Sequence, residues 1–330
     1  MKCLPNHQAR PVAVVAGLLF GVAALVVAAL PIAAHATVGQ DWQWANPLPQ
    51  GNDLTSAAYD GSGTYVAVGN GALLTSADGV NWAAHTPLLN ISGTQYAQVT
   101  AVVWAGTQFV AISKSGASYT SPDGMSWTVH SMTTSYPLLQ DLAWNGTQLV
   151  AVGSLGAVFT SPDGATWTAQ TSGTSSALNA VVWAGALGKF VAVGVNGTIL
   201  TSPGGVNWTQ PSSGTTNTLT DVAWNGTELL ATAGSSVLVS TSGTTWTSNT
   251  TGAGHTLESV TWDGTQFAAV GDFGVVVTSP DGTTWTTRTS GTQLTLYDIA
   301  WVGTKFLAVG NGGAFLTWTT AAASSPARTA

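Results

Sequence analysis

Charge is what this sequence has least of: 7 Lys+Arg and 14 Asp+Glu in 330 residues, or 6%. An ordinary soluble domain carries about 25%, so Thr, Ser, Asn, Gln and Gly must wet the surface here. Seven basic residues cannot supply a phosphate-neutralising patch, which excludes nucleic acid as a partner. Coiled coils and helical bundles are excluded too, because they need Lys, Glu and Leu at helical periods. Cysteine is nearly absent. The one thiol, Cys3, permits no disulfide framework and no Cys-ligated metal. Against these absences stand 15 Trp and a 45% hydrophobic share, enough to bury a core and to rule out a disordered chain.

Residues 1–36 read as an address. Lys2 and Arg10 make a short basic start, an uncharged and mostly apolar run extends from Pro11 to Ala34, and Ala34-His35-Ala36 places small residues at a cleavage point. That is the arrangement of a secretory signal peptide. The run is also long enough to span a bilayer, so an uncleaved anchor is the competing reading and the one route to membrane contact. The small-residue site favours cleavage after Ala36, which also removes Cys3. The expectation is an exported protein, secreted or periplasmic. Its mature part keeps five basic residues against all 14 acidic ones.

The remainder repeats. The segment from Leu139 to Thr174 recurs around the chain, with a first aromatic marker at Tyr59, Trp104, Trp144, Trp183, Trp224, Trp262 and Trp301. A second marker, the Trp of S-x-D-G-x-x-W and its variants, falls at Trp82, Trp127, Trp167, Trp208, Trp246 and Trp285. Spacings of 38 to 45 residues between first markers match a four-stranded propeller blade. Within a unit, Leu139–Trp144, Gln148–Gly153, Ala157–Ser161 and Trp167–Thr171 read as four short strands. Asn145-Gly146-Thr147 and Pro162-Asp163-Gly164 are the turns between them. The expected fold is all-β: a seven-bladed β-propeller over residues 37–318, with 319–330 as a flexible tail. The seventh unit stops after three strands, while Trp42–Tyr59 aligns with a fourth strand, a loop and the next first strand. The N-terminal strand is therefore expected to complete the last blade and remove the open sheet edges.

Four segments, Ser76–Trp82, Ser121–Trp127, Ser161–Trp167 and Ser279–Trp285, resemble the Asp-box of BNR-repeat proteins. The whole unit, L-x-D-V-A-W-N-G-T-x-F-x-A-V-G-x-x-G, is similar to the repeats of the photosystem II stability/assembly factor family, and the likeness covers almost all of 42–318. Three departures matter. The usual box has one more residue between Asp and Gly, Gly204 and Ser242 replace the Asp in units four and five, and unit seven has no box. The resemblance implies the seven-bladed fold. It says less about function, because such repeats occur in sialidases, other glycan-processing enzymes and assembly factors alike.

The residues narrow those options. A sialidase would need an arginine cluster for the substrate carboxylate, and after residue 36 only Arg288 and Arg328 remain. Asp78, Asp123, Asp163 and Asp281 recur in the same turn and read as structural turn caps. Three residues before the first marker the units carry Ser56, Ala101, Asp141, Ala180, Asp221, Ser259 and Asp298. The first strand of a blade lines the central channel, so Asp141, Asp221 and Asp298 are candidate ligand-binding carboxylates at its mouth, for a polyol, a cation or a basic group. The alternative is that they cap backbone or hold channel water. The irregular connections Ala83–Gln98 and Thr128–Leu138 carry His85 and His130, further candidates because binding groups favour loops on a rigid scaffold. Lys114, which follows Ser113 where most units have Gly, could join them. No third ligand stands at useful spacing, so no metal site is expected. The Gly-x-x-Gly pieces lack a following helix and cradle no nucleotide, and no cofactor is expected.

The reading that results is a non-catalytic propeller, expected as a monomer, binding a protein or glycan through loops on one face. The alternative is a secreted carbohydrate-active enzyme, a glycosidase or lyase, with paired carboxylates at the channel mouth.

Overall fold

A computed structural model describes residues 42–44, 51–132 and 138–319. Residues 1–41, 45–50, 133–137 and 320–330, which include the expected signal segment and tail, lie outside the described residues. Seven antiparallel sheets follow one another along the chain. Blade three shows the plan: Leu139–Trp144, Leu149–Gly153, Val158–Ser161 and Thr168–Gln170, paired in sequence order from the inside out. Successive antiparallel strands place the first-to-second and third-to-fourth turns on one face of the ring. The second-to-third turns and the connections between blades share the opposite face, called here the connection face.

The strands form because short runs of Val, Ala, Leu and Phe alternate with Gly, Asn and Asp turns. Second strands such as "YVAVG", "LVAVG" and "FLAVG" are buried along their whole length, as a strand covered on both faces must be. The core is therefore not at the centre of the molecule. Seven apolar clusters among the described residues lie between neighbouring blades, one per boundary. The cluster joining blade seven to blade one contains Leu307, Val309 and Phe315 against Leu54, Leu74 and Trp82, so packing alone already brings the last blade onto the first.

The second-marker tryptophans are fixed by their own turns. The indole N–H of Trp127 donates to Gly124 O at 2.9 Å, and Trp167, Trp208, Trp246 and Trp285 repeat the bond. In the last blade, Gln43–Trp44 pairs antiparallel with Phe315–Trp318, and Trp42 packs 5.8 Å from Trp318.

Blade four departs from the plan. It has three strands, Leu178–Ala184, Lys189–Gly194 and Ile199–Ser202, followed only by an isolated bridge between Thr201 and Thr209. Pro211 explains the break. It stands three residues after Trp208, where the blade-one residue His85 donates its backbone N–H to Leu73 O at 2.8 Å. A proline has no N–H to give.

Candidate functional site

The first strand of each blade forms the inner edge of its sheet, so one of its rows of backbone groups has no ladder partner. In six blades the register also slips at one fixed place, between Leu139 and Asp141 in blade three and at the equivalent pairs elsewhere. Side chains from the position three before the first marker serve the backbone donors left there. Asp141 Oδ2 accepts Val181 N at 2.8 Å, Asp221 Oδ2 accepts Val260 N at 2.7 Å, and Asp298 Oδ2 accepts Ala57 N at 3.2 Å. Ser56 Oγ takes Val102 N and Ser259 Oγ takes Ile299 N, both at 3.3 Å. Each bond crosses to the next blade.

Blades two and four carry Ala101 and Ala180 at this position and can offer nothing. The donors they would have served are Leu142 N and Val222 N. Asp141 Oδ1 accepts the first at 2.8 Å and Asp221 Oδ1 the second at 2.7 Å. Five side chains thus satisfy seven backbone N–H groups around the ring. An acid follows each alanine because only a carboxylate has two oxygens to divide between its own blade and the next.

One residue nearer the mouth stand Thr55, Thr100, Gln140, Asn179, Thr220, Glu258 and Tyr297, and together the two rows line a cavity of about 130 Å³. Several of these also cross between blades: Thr55 Oγ1 donates to Val99 O at 2.7 Å, Asn179 Nδ2 to Leu219 O at 2.8 Å and Thr220 Oγ1 to Leu257 O at 2.7 Å. Among the described residues, no Lys, Arg or His lines the cavity. The three belt acids keep some surface toward it, yet the strands around them strip away most water. Burial pushes Asp141 up to about 8, with the Asp221 charge adding to the rise. Asp298 is pushed up to about 6 by burial and then by Asp221, and burial raises Asp221 as well. Glu258 is raised by burial and by Asp272.

The turn aspartates sit far from this chemistry. Asp78 Oδ1 accepts Val80 N at 2.8 Å and Asn81 N at 2.7 Å. Asp123, Asp163 and Asp281 each accept the equivalent two N–H groups. Those backbone donors hold all four carboxyls below the usual carboxylate range.

His130 lies on an outer strand rather than in an irregular loop, and His85 directly follows the outer strand Ala83–Ala84. His130 belongs to Thr128–Ser131 and bonds Thr120 Oγ1 at 2.9 Å, and His85 bonds Thr75 Oγ1 at 2.6 Å. Gln170 and Arg288 make the same bond to Thr160 and Thr278, both at 2.9 Å. All four stand three residues after a second-marker Trp, a regularity present in the sequence and hidden by the uneven connections that follow. Each histidine is therefore engaged by its own blade. Lys114 lies at the second-to-third turn of blade two, its N–H on Gln98 O at 2.9 Å. Among the described residues, no group of three or more His, Cys, Asp or Glu is placed to hold a metal ion, and no helix is long and apolar enough to cross a membrane.

Nothing in the composition or the repeat pattern points to the apolar tips on the connection face. Leu155 is 79% exposed and Phe273 66% exposed, each at the tip of a second-to-third turn with φ of 56° and 55°. The same turn in blade seven uses Gly312, the residue for which left-handed backbone costs least. Tyr96, on the connection after blade one, is 61% exposed.

These features define a seven-bladed β-propeller with a self-satisfied acidic channel belt and apolar tips on one face. No protein-family model and no curated protein matches the chain, but solved structures do. A structure of YCF48 bound to D1 peptide superposes with a TM-score of 0.69 at 18% identity, covering 85% of this chain and 97% of that one. YCF48 from Cyanidioschyzon merolae gives 0.68 at 18% identity, with 84% and 98% covered. A chain of the mitotic checkpoint complex gives 0.66 at 13% identity, covering 87% of this chain and 96% of that one. The repeat resemblance to the photosystem II assembly factors is thus matched in fold; at these identities the likeness shows the fold alone.

Proposed function

We propose that this chain is an exported, non-catalytic scaffold that binds a protein partner through its connection face. The observation that carries this reading is the set of large apolar side chains held out on that face, Leu155, Phe273 and Tyr96. Two of them occupy left-handed backbone where glycine would be easier. Exposed apolar side chains on strained backbone lower stability and solubility, and such outliers cluster at ligand clamps. The structural neighbours add support by analogy, since one is recorded with a bound peptide and another within a protein complex. Export rests on the character of residues 1–36.

The enzyme reading loses its instruments. The oxygens of Asp141, Asp221 and Asp298 are all engaged by backbone N–H groups or the Ser259 hydroxyl, so none is left over for the acid and base of glycoside hydrolysis.

The test is affinity capture from the native envelope and culture fluid. The bait is the full chain, beside a Leu155→Ser/Phe273→Ser variant and a Val80→Ser/Val206→Ser control on the opposite face. One stoichiometric protein, retained by the control and lost by the first variant, is the expected result. Recovery of polysaccharide instead, or equal capture by both variants, overturns the reading.

A further inference from the structure

Ser259 Oγ stands between two carboxyls. It lies 2.7 Å from Asp221 Oδ2 and 3.0 Å from Asp298 Oδ1, and it accepts the backbone N–H of Ile299 at 3.3 Å. A serine hydroxyl has one proton and two lone pairs. With one lone pair committed to Ile299, one proton and one lone pair remain for two carboxyl oxygens. Two ionised carboxylates cannot both be satisfied by a single proton, so a second proton is needed in this group. The distribution of donors decides where it sits. Asp221 accepts Val222 N and Val260 N, both at 2.7 Å, in addition to Ser259. Asp298 has the longer 3.2 Å bond from Ala57 N and the 3.0 Å approach of Ser259. Donors favour charge, so the charge belongs on Asp221 and the proton on Asp298.

We propose that Asp298 donates from a protonated Oδ1 to Ser259 Oγ and that Ser259 donates in turn to Asp221 Oδ2, forming a shared-proton latch that ties blades five, six, seven and one at the channel mouth and releases as pH rises.

The ionisable groups around the cavity favour keeping the proton, against the Ala57 N–H donor. Asp141, Glu258 and Tyr297 also line the cavity, and among the described residues no cationic side chain does. Asp53, Glu258 and Asp272 lie close enough to Tyr297 to raise its phenol further, after burial. Burial and then the Asp221 charge raise Asp298 to about 6, which places release near that pH. When the proton leaves to solvent, two carboxylates face one hydroxyl proton, so one loses its bond and they repel across Ser259. The strands affected reach the connection face, where Leu155 and Phe273 also lie. The latch stands independently of any partner.

The experiment is infrared spectroscopy of the full chain in D2O, with thermal melts from about pH 5 to about pH 9. Ordinary Asp and Glu titrate near 3.9 and 4.3, so a protonated-carboxyl C=O band surviving to about pH 6 comes from raised acids. Asp298→Asn reproduces the latched geometry, because its amide donates toward Ser259 and its oxygen accepts Ala57 N–H. Part of the band should vanish in this variant, and its melting temperature should lose part of the fall that wild type shows as pH rises through about 6, the remainder belonging to Asp141. Ser259→Ala keeps both acids but removes the O–H acceptor, so it should shift part of the wild-type band. A wild type with no such band above about pH 5, a full band in Asp298→Asn, or an unmoved band in Ser259→Ala overturns the proposal.

Discussion

Asp141 Oδ2 accepts the backbone N–H of Val181 at 2.8 Å, across the boundary between blade three and blade four. Its other oxygen takes Leu142 N at 2.8 Å, the donor that Ala101 leaves unserved. The acid is therefore one half of an arrangement whose other half is an alanine in the preceding blade. Asp141→Ala leaves both donors without an acceptor and should cost about 2–6 kcal/mol, from about 1–3 kcal/mol per orphaned group. Ala101→Ser in that background offers Leu142 N a hydroxyl, as Ser56 does for Val102 N. The double variant should recover about 1 kcal/mol in denaturant titration. If Ala101→Ser gives the same change with and without Asp141, the two positions are not coupled and the belt account fails.

How much of this is legible in the sequence depends on which partner carries the information. The belt row of Ser56, Ala101, Asp141, Ala180, Asp221, Ser259 and Asp298 lies at a fixed offset from the first marker, so it can be read from the residues. Its partners are backbone N–H groups of the next blade, which no residue identity encodes. The seven blades follow from tryptophan spacing, because packing between blades requires large side chains at fixed register. His85 and His130 read as loop residues because the connections after them vary in length, although their offset from Trp82 and Trp127 equals that of Gln170 and Arg288 from their own markers. Leu155 and Phe273 carry no signal: only the backbone shows that they occupy a glycine's conformation.

The same offset makes blade four correctable. Pro211 stands in the slot held elsewhere by His85, His130, Gln170 and Arg288, facing Thr201 and Ile199 on the third strand. Pro211→Gln restores a ladder N–H and can reach Thr201 as Gln170 reaches Thr160 at 2.9 Å. The gain should be about 1 kcal/mol, less the entropy that proline removes from the unfolded chain. In this variant, exchange of the new backbone amide at position 211 should be slowed to the rate of global opening. Free exchange there with an unchanged melting temperature would show that the broken strand has another cause.

Stability should fall on both sides of a maximum in mildly acidic solution. The turn aspartates Asp78, Asp123, Asp163 and Asp281 are held below their ordinary values by backbone N–H donors. Asp60 is brought down to about 2: burial opposes the shift, but hydrogen bonds from Thr64 and Ser62 outweigh it. With folded values below unfolded ones, their contribution is present above about pH 4 and is lost as pH falls. Belt acids have the opposite sign. Asp298 and Asp141 are raised to about 6 and about 8, so the native state holds protons the unfolded chain has released and stability drops as pH climbs through those values. Asp78→Asn/Asp281→Asn should flatten the acid limb and leave the alkaline limb alone. Denaturation midpoints across pH separate the two, and a variant that alters the alkaline limb would contradict the assignment.

Blade seven, with its seam to blade one, should be the weakest part of the ring. Trp42 and Trp318 pack within it and Trp82 packs against its Phe315. Each of the three has a buried indole N–H without a partner, whereas the other second-marker tryptophans donate to glycine carbonyls. Deleting residues 37–50 removes Trp42 from its packing beside Phe306 and Trp318 and exposes the edge of Phe315–Trp318. Such a chain should melt at a lower temperature and self-associate through the free edge. Melting like the full chain would mean that packing between Leu307 and Leu54 holds the ring without the N-terminal strand.

Leu155 and its neighbour Gly156 make opposite predictions from adjacent positions. Both have positive φ, 56° and 70°, but only the leucine is exposed, and left-handed backbone costs a residue with a Cβ about 1–2 kcal/mol. Leu155→Gly relieves that strain and loses little packing, so stability should hold or rise by up to about 1 kcal/mol. Gly156→Ala imposes the strain and drives a Cβ into Thr174 O and Ser172 Oγ, so it should destabilise by more. If Leu155 is there to meet a partner, Leu155→Gly should also weaken capture of that partner at least tenfold while the melting temperature does not fall. Weakened capture together with a lowered melting temperature would instead mark Leu155 as part of the scaffold, because a side chain kept for stability cannot be removed at a gain.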